Sequence, residues 1–247
     1  MKIFKKSLAF TLAEVLITIG VIGVVAAITL PSLITKSRKV MVENRLKDTY
    51  SILANATRLA EGEFGADIDP SEKITGNGFS SAKSKLVFDT YFRPFIKINY
   101  EYPQNECVEL TKTYGANKSQ SSMYVDSNGA CYNLLNGVSI IFWAGRKDDT
   151  SPYVMPVIIK LQPAKNKSFD GIDTFGLQIE STDNGLVVSS GLSQIGADIS
   201  DDNLVKQCGS SSGRVYFDGY AWPRSMFCFE LIKRNGWKIP ANYPLKF

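Results

Sequence analysis

Hydrophobic positions change their spacing along the chain. Residues 10–34 are almost continuously apolar, with Glu14 as the single charge, and within 15–30 only Thr18 and Thr29 are polar. At roughly 1.5 Å per residue a helix of that length reaches about 37 Å, enough to cross a bilayer. After Lys36 the pattern becomes one-sided. Val42, Leu46, Tyr50, Leu53, Ala56, Ala60 and Phe64 recur at steps of three or four, while Arg45, Lys47, Asp48, Asn55, Arg58 and Glu61 take much of the rest. No cluster of turn residues separates the two parts. Only Pro31 interrupts, and a proline there kinks or locally opens a helix. The spacing predicts one helix over 10–62, about 80 Å long at ~1.5 Å per residue, ended by Gly62 and Gly65.

Residues 63–247 read as a globular head. A short helix is predicted over 81–93, stopped before Pro94. Strand patterns dominate after it: 108–114 alternates, and strands are also predicted over 154–161 and 177–180. Residues 131–135 and 138–143 flank Asn136-Gly137, which predicts a hairpin with a type I′ turn. Further turns are predicted at 124–129 and 183–185, and polar loops at 117–122 and 210–212. The fold class is α+β, with a long N-terminal helix and a mainly antiparallel sheet.

Composition narrows the chemistry. The chain has no histidine, which removes the commonest general base and a common zinc ligand. Its net charge is +4, but Lys2, Lys5 and Lys6 supply three of those charges. A nucleic-acid binder would be far more basic, so no strong nucleic-acid binding is expected. The cysteines are Cys107, Cys131, Cys208 and Cys228, none in a C-x-x-C pair. In an exported chain they suggest two disulfides, with three possible connectivities. Their spacing favours Cys107–Cys131 and Cys208–Cys228, and free buried thiols are the alternative in a reducing compartment.

The N-terminus therefore decides the compartment. Lys5 and Lys6 precede the apolar span and are expected to stay cytoplasmic, which sends the head outward. An ordinary signal peptide is the rival, with Val25-Ala26-Ala27 as its cleavage site and Ile28 as the first mature residue. Two features oppose it. A carboxylate inside an apolar span is costly and implies a partner, and the helical pattern continues past any cleavage point.

The segment AFTLAEVLITIGVIGVVAAITLPSLI resembles the N-terminal segment of type IV prepilins and type II secretion pseudopilins. That resemblance implies a leader over 1–9, removed by a prepilin peptidase that cuts between Ala9 and Phe10. It then N-methylates Phe10. The family usually has glycine before the cut, and Ala9 is a small residue in that place. The resemblance further implies a transmembrane and assembly segment over 10–34, a helix over 10–62 packed on an antiparallel sheet, and an exported head over 63–247. Gly23 and Pro31 match a segment that unwinds during assembly. Glu14 becomes an assembly residue: unpaired in the membrane, it pairs in a filament with the N-terminal amine of Phe10 on a neighbour, so only the correct axial register removes the penalty of a buried charge.

Carried further, the resemblance implies a non-enzymatic filament subunit in the inner membrane as a single-pass precursor, then in a surface pilus or a periplasmic pseudopilus. Its partners would be the peptidase, an inner-membrane assembly platform, the membrane and other copies of itself. Two later stretches, 171–186 and 208–244, are also similar to pilin-like chains, and a disulfide-closed loop over 208–228 fits that pattern. Major pseudopilins often bind calcium, for which Asp170, Asp173, Asp183, Asp198, Asp201 and Asp202 are the candidate ligands, without EF-hand spacing; no other cofactor is implied. Tyr216, Phe217, Tyr220, Trp222 and Phe227 form either an adhesive patch or the cover of a small core. The alternatives are a minor or tip pilin whose head binds DNA, a surface or a secretion substrate, and an exported enzyme with an ordinary signal peptide.

Overall fold

A computed structural model of the chain describes residues 11–65, 80–114, 120–121, 128–148, 151–162, 168–183, 185–192, 199–211, 214–217 and 220–247. Helix α1 (Leu12–Phe64) is continuous over 53 residues, Pro31 included. It opens with a reciprocal cap. Glu14 N donates to Thr11 Oγ1 at 3.2 Å, and Thr11 N donates back to Glu14 Oε2 at 2.8 Å. This T-x-x-E pairing satisfies two N–H groups that a helix start leaves without partners, so the helix begins at Leu12. At the other end Gly65, at φ +98°, donates its N–H to Glu61 O at 2.9 Å. Gly62 stays inside the helix, against expectation, because a single helical glycine costs only about 1 kcal/mol.

Packing divides the chain between Val40 and Met41. In the first unit the apolar window of α1 has no buried residue. In the second, the one-sided stripe is buried at Val42, Leu46, Leu53, Ala56 and Ala60, together with Glu43, Thr49 and Thr57. Tyr50 is half-buried, and Phe64 is exposed but keeps an edge contact with Tyr91 at 5.1 Å between ring centres.

That stripe packs on an antiparallel sheet. Its strands among the described residues are β1 (Ile98–Glu101), β4 (Ala130–Leu134), β5 (Ser139–Phe142), β6 (Arg146–Asp148), β7 (Ser151–Lys160), β8 (Thr174–Thr182) and β9 (Gly185–Ser189). The order is β1-β4-β5-β7-β8-β9, and β6 pairs with the first half of β7 while β5 pairs with the second. The two-residue period of a strand assigns the faces. Tyr132, Leu134, Ile140, Phe142, Val157, Ile159, Phe175 and Leu177 share one core with α1. Cys131, Ile141, Trp143 and Ile158 form a second cluster with Cys107. Cys107 lies on α3 (Gln104–Thr111), where an alternating strand is predicted; only β2 (Thr113–Tyr114), paired with β3 (Gln120–Ser121), is extended there. Cys107 and Thr111 are buried while Glu109 between them is exposed, which fits a helix and not an alternating strand.

Helix α2 (Ser81–Tyr91) starts on Ser80, whose Oγ accepts from Lys83 N at 3.2 Å. It ends earlier than predicted, and a 3₁₀ turn over Arg93–Phe95 takes the proline. The β4–β5 hairpin forms, but not with a type I′ turn. Only Gly137 has positive φ (+77°); its N–H donates to Leu134 O at 2.9 Å, and Leu134 N donates to Val138 O at 2.8 Å. Those bonds define a three-residue loop with glycine in the left-handed position, and Asn136 Oδ1 accepts from Val138 N at 3.1 Å. The β8–β9 turn stands where predicted, with Thr182 opposite Gly185.

The C-terminal region closes the head. Helix α4 (Asp201–Cys208) is tied by a disulfide to α5 (Arg224–Arg234), and Phe227 is fully buried in α5. β10 (Arg214–Phe217) and β11 (Tyr220–Pro223) form a small hairpin between them; the side chains of Tyr216, Phe217, Tyr220 and Trp222 lie outside the described residues. After α5 the chain folds back onto α1. Trp237 has φ +65°, a region costly for a bulky residue; its ring sits 4.9 Å from Tyr50 and 6.0 Å from Phe229, centre to centre. Glu43 of α1 then accepts from Lys238 Nζ at 2.8 Å and from Ile239 N at 2.9 Å.

Glu43→Ala is expected to lower the unfolding free energy by about 1–3 kcal/mol, because it strands a backbone donor and removes a charge-assisted bond. Lys238→Ala, which removes only the exposed partner, should cost less than about 1 kcal/mol. Denaturant titration of the full chain in detergent reads both.

Candidate assembly interface

The residues singled out from sequence for assembly lie along the first part of α1. Ala9 and Phe10 lie outside the described residues. Glu14 is not the unpartnered carboxylate expected. Its Oε2 accepts from Thr11 N and also from Thr11 Oγ1 at 2.8 Å. Its Oε1 has no partner among the described residues. The cap thus holds Glu14 while leaving one oxygen and the net charge available to another molecule.

Gly23 sits mid-helix, and a Cβ built there meets nothing within 4 Å; Gly20 is the same. No contact within the chain compensates their helix cost of roughly 1 kcal/mol each. Pro31 lacks the N–H that would serve the Ala27 carbonyl. Near it Thr29 Oγ1 donates to Val25 O and Ser32 Oγ to Thr29 O, both at 2.9 Å. No local opening is present at Pro31. Polar side chains of the second helical half lock into the head instead. Arg45 Nη1 donates to Leu161 O at 2.6 Å, Asn136 Nδ2 to Thr49 Oγ1 at 3.3 Å, and Leu186 N to the Glu61 carboxylate.

Both favoured disulfides are present, with Cα–Cα separations of 5.4 Å for Cys107–Cys131 and 4.8 Å for Cys208–Cys228. The first fixes α3 to β4. The second fixes α4 to α5 and packs against the Gly171-Ile-Asp-Thr-Phe-Gly stretch. Gly171 has φ +77°, and a Cβ there would lie 2.5 Å from Cys228 Sγ. Asp173 braces the turn by accepting from Phe169 N at 2.6 Å, and Phe175 and Leu177 enter the core. The motif is thus a tight turn feeding an apolar strand.

Calcium ligands do not gather. Asp170 and Asp173 are buried, Asp183 is exposed, and Asp201 and Asp202 lie in the exposed first turn of α4, where Asp201 stands 3.6 Å from Arg234 Nη1. No group of three metal-ligating side chains is found among the described residues; Asp198 lies outside them. A half-open cavity of about 230 Å³ lies between α2 and β1. The charges beside it are already paired: Lys85 with Asp89 and Glu101, and Arg93 with Asp89 at 3.0 Å and Glu101 at 2.7 Å.

Sequence reading missed a buried polar cluster around Asp170. Arg224, fully buried, donates through Nη1 to Ser210 O at 2.9 Å and through Nη2 to Asp170 O. Lys160 Nζ donates to Lys112 O at 2.9 Å. Neither Asp170 carboxylate oxygen has a hydrogen-bond partner among the described residues. Burial pushes the Asp170 carboxyl up to about 7, against the pull of Arg224, and pushes the Lys160 amine down to about 8, against Asp173 and Asp170. The available signal was Lys160 itself, a charge closing an apolar strand run.

At Asp170 the native state binds more protons than the unfolded chain from pH 3.8, the ordinary carboxyl value, up to about 7. Stability contributed by neutral Asp170 is therefore full below that window and falls as pH rises through it, by at most about 1.4 kcal/mol per pH unit. Lys160 acts in the window from about 8 to 10.5, where the unfolded chain binds more protons and stability rises with pH. Asp170→Asn should flatten the acid-side slope, and Lys160→Met the alkaline one, in unfolding curves taken from pH 4 to 10.

No curated protein and no solved structure matches this chain. A family model described as a family of unknown function (DUF6613) matches residues 32–175, from just after Pro31 to the start of β8. With more than half of its length so matched, the chain belongs to that family.

Proposed function

We propose that the protein is a structural subunit of a type IV pilus-like or pseudopilus filament. It is made as a single-pass membrane precursor, cut between Ala9 and Phe10, and assembled through α1. The observation that carries this reading is the division of one continuous helix. Its first half is long and apolar enough to cross a membrane and has none of that window buried. Its second half buries a single stripe against an antiparallel sheet. An anchor needs only the first half, and a head needs only the second. A subunit that leaves lipid for a helical core needs both in one helix, with its apolar face available to neighbours.

Glu14 supports the same reading. A helix start is capped as well by Ser or Asn as by a pairing with glutamate, so the cap alone does not require a full negative charge at the edge of an apolar span. Pairing with the methylated amine of Phe10 on a neighbouring copy uses that charge and fixes the axial register. The two disulfides fit an exported head.

Glu14→Gln keeps an oxygen for Thr11 and removes only the charge. It should leave membrane insertion and head folding unchanged and cut the material sheared from cells tenfold or more, with Glu14→Ala doing the same. Wild-type filament yield from Glu14→Gln would show that the charge has no role in assembly.

A further inference from the structure

Between Glu14 and Lys36 the chain carries 21 consecutive uncharged residues, 15–35. The far end of that stretch is basic: Lys36, Arg38 and Lys39 follow one another, and the next acid is Glu43. Lys36 and Arg38 are exposed, and neither side chain has a hydrogen bond or ion pair among the described residues. Within the helix neither has an acid three or four residues away, the only spacings at which side chains meet. Cations at this end are also not explained by topology, since basic residues favour the cytoplasmic flank and Lys36 lies on the exported one.

The helix geometry selects one of them. Glu14 and Lys36 are 22 residues apart, which is about six turns, ~33 Å of rise and only ~40° around the axis. Arg38 lies about a third of a turn away from Glu14 by the same rule. In a bundle of parallel copies each helix turns one face to the shared axis, so Glu14 and Lys36 face the same interior. Glu14 Oε1 is open there, because the cap uses only Oε2.

Resting on the filament reading, we propose that the partner of Lys36 is the Glu14 carboxylate of a second copy of this chain, displaced along the filament by about 33 Å. The pair sits at the two ends of the neutral stretch, so the apolar segments of the two copies follow one another along the axis. It adds a second contact to the one at Phe10. Glu14 Oε2 stays in its own cap, and Oε1 takes the ammonium from the neighbour. At a shorter parallel offset Lys36 lies against the uncharged residues 15–35 of the neighbour, where an unpaired ion is strongly penalised.

The test pairs a cross-link with a charge deletion in the full chain. Thr18 and Val40 lie one turn beyond Glu14 and Lys36 and keep the same offset. In a Thr18→Cys/Val40→Cys variant the two thiols of one chain are ~33 Å apart, so any disulfide between these positions joins two copies. Oxidised sheared material should show a ladder of covalent multimers, and a Thr18→Cys/Ser32→Cys variant of shorter offset should not. Lys36→Ala should reduce sheared filament tenfold or more, while Arg38→Ala stays within twofold of wild type. Filaments that form without the 18–40 cross-link, or equal effects of the two alanine variants, overturn the proposed pairing and leave the filament reading standing. Absence of any sheared wild-type polymer overturns both.

Discussion

The structure is governed by an apolar segment of α1 whose membrane-length window has no buried residue. Residues 15–35 are free of charge, and large side chains such as Leu16, Ile19, Val24 and Ile28 are exposed. Apolar surface on that scale does not stay in water. In the proposed filament subunit, lipid covers it before assembly and other copies cover it afterwards. The second half of the helix is committed to the sheet through a separate stripe and through Arg45, Thr49 and Glu61.

That commitment explains how the head is built. A lone stripe of Val42, Leu46, Leu53, Ala56 and Ala60 offers small and medium side chains to a sheet rich in aromatics, with Phe88, Phe92, Tyr132 and Phe142 packed ring to ring beside it. The C-terminal tail is drawn onto the same helix by Glu43 and by the left-handed Trp237. One disulfide lies in the cluster on the other side of the sheet, and the other joins α4 to α5 within the main core.

Much of this was legible in the order of residues. Period set α1, because seven positions in 42–64 fall on one face; the Asn136-Gly137 signal set the β4–β5 hairpin, and the strands read at 154–161 and 177–180 fall in β7 and β8. The disulfide pairs followed from short separations. Other features depended on three-dimensional partners that no local pattern displays. Cys107 and Thr111 are buried with Glu109 exposed between them, a spacing of four that a helix satisfies and a two-residue period does not. Asn136-Gly137 took a three-residue loop, since the side chain of Asn136 could bond Val138 N without a left-handed Asn. Arg224 is distant in sequence from Asp170 and Lys160 and reaches Asp170 only when the start of α5 packs beside the turn before β8. The reciprocal cap at Thr11 and Glu14 was legible as a T-x-x-E pattern, although the charge of Glu14 pointed first to a partner outside the chain.

The most direct measurement is the mass of the N-terminal peptide of the native protein, taken both from membranes and from material sheared off cells. A chain beginning at N-methylated Phe10 in both fractions is the predicted result. It would place the apolar half of α1 in the mature subunit and make Glu14 its fifth residue. A chain beginning at Ile28 would contradict this: most of the apolar segment would be gone, Glu14 with it, and the head would be a soluble exported domain.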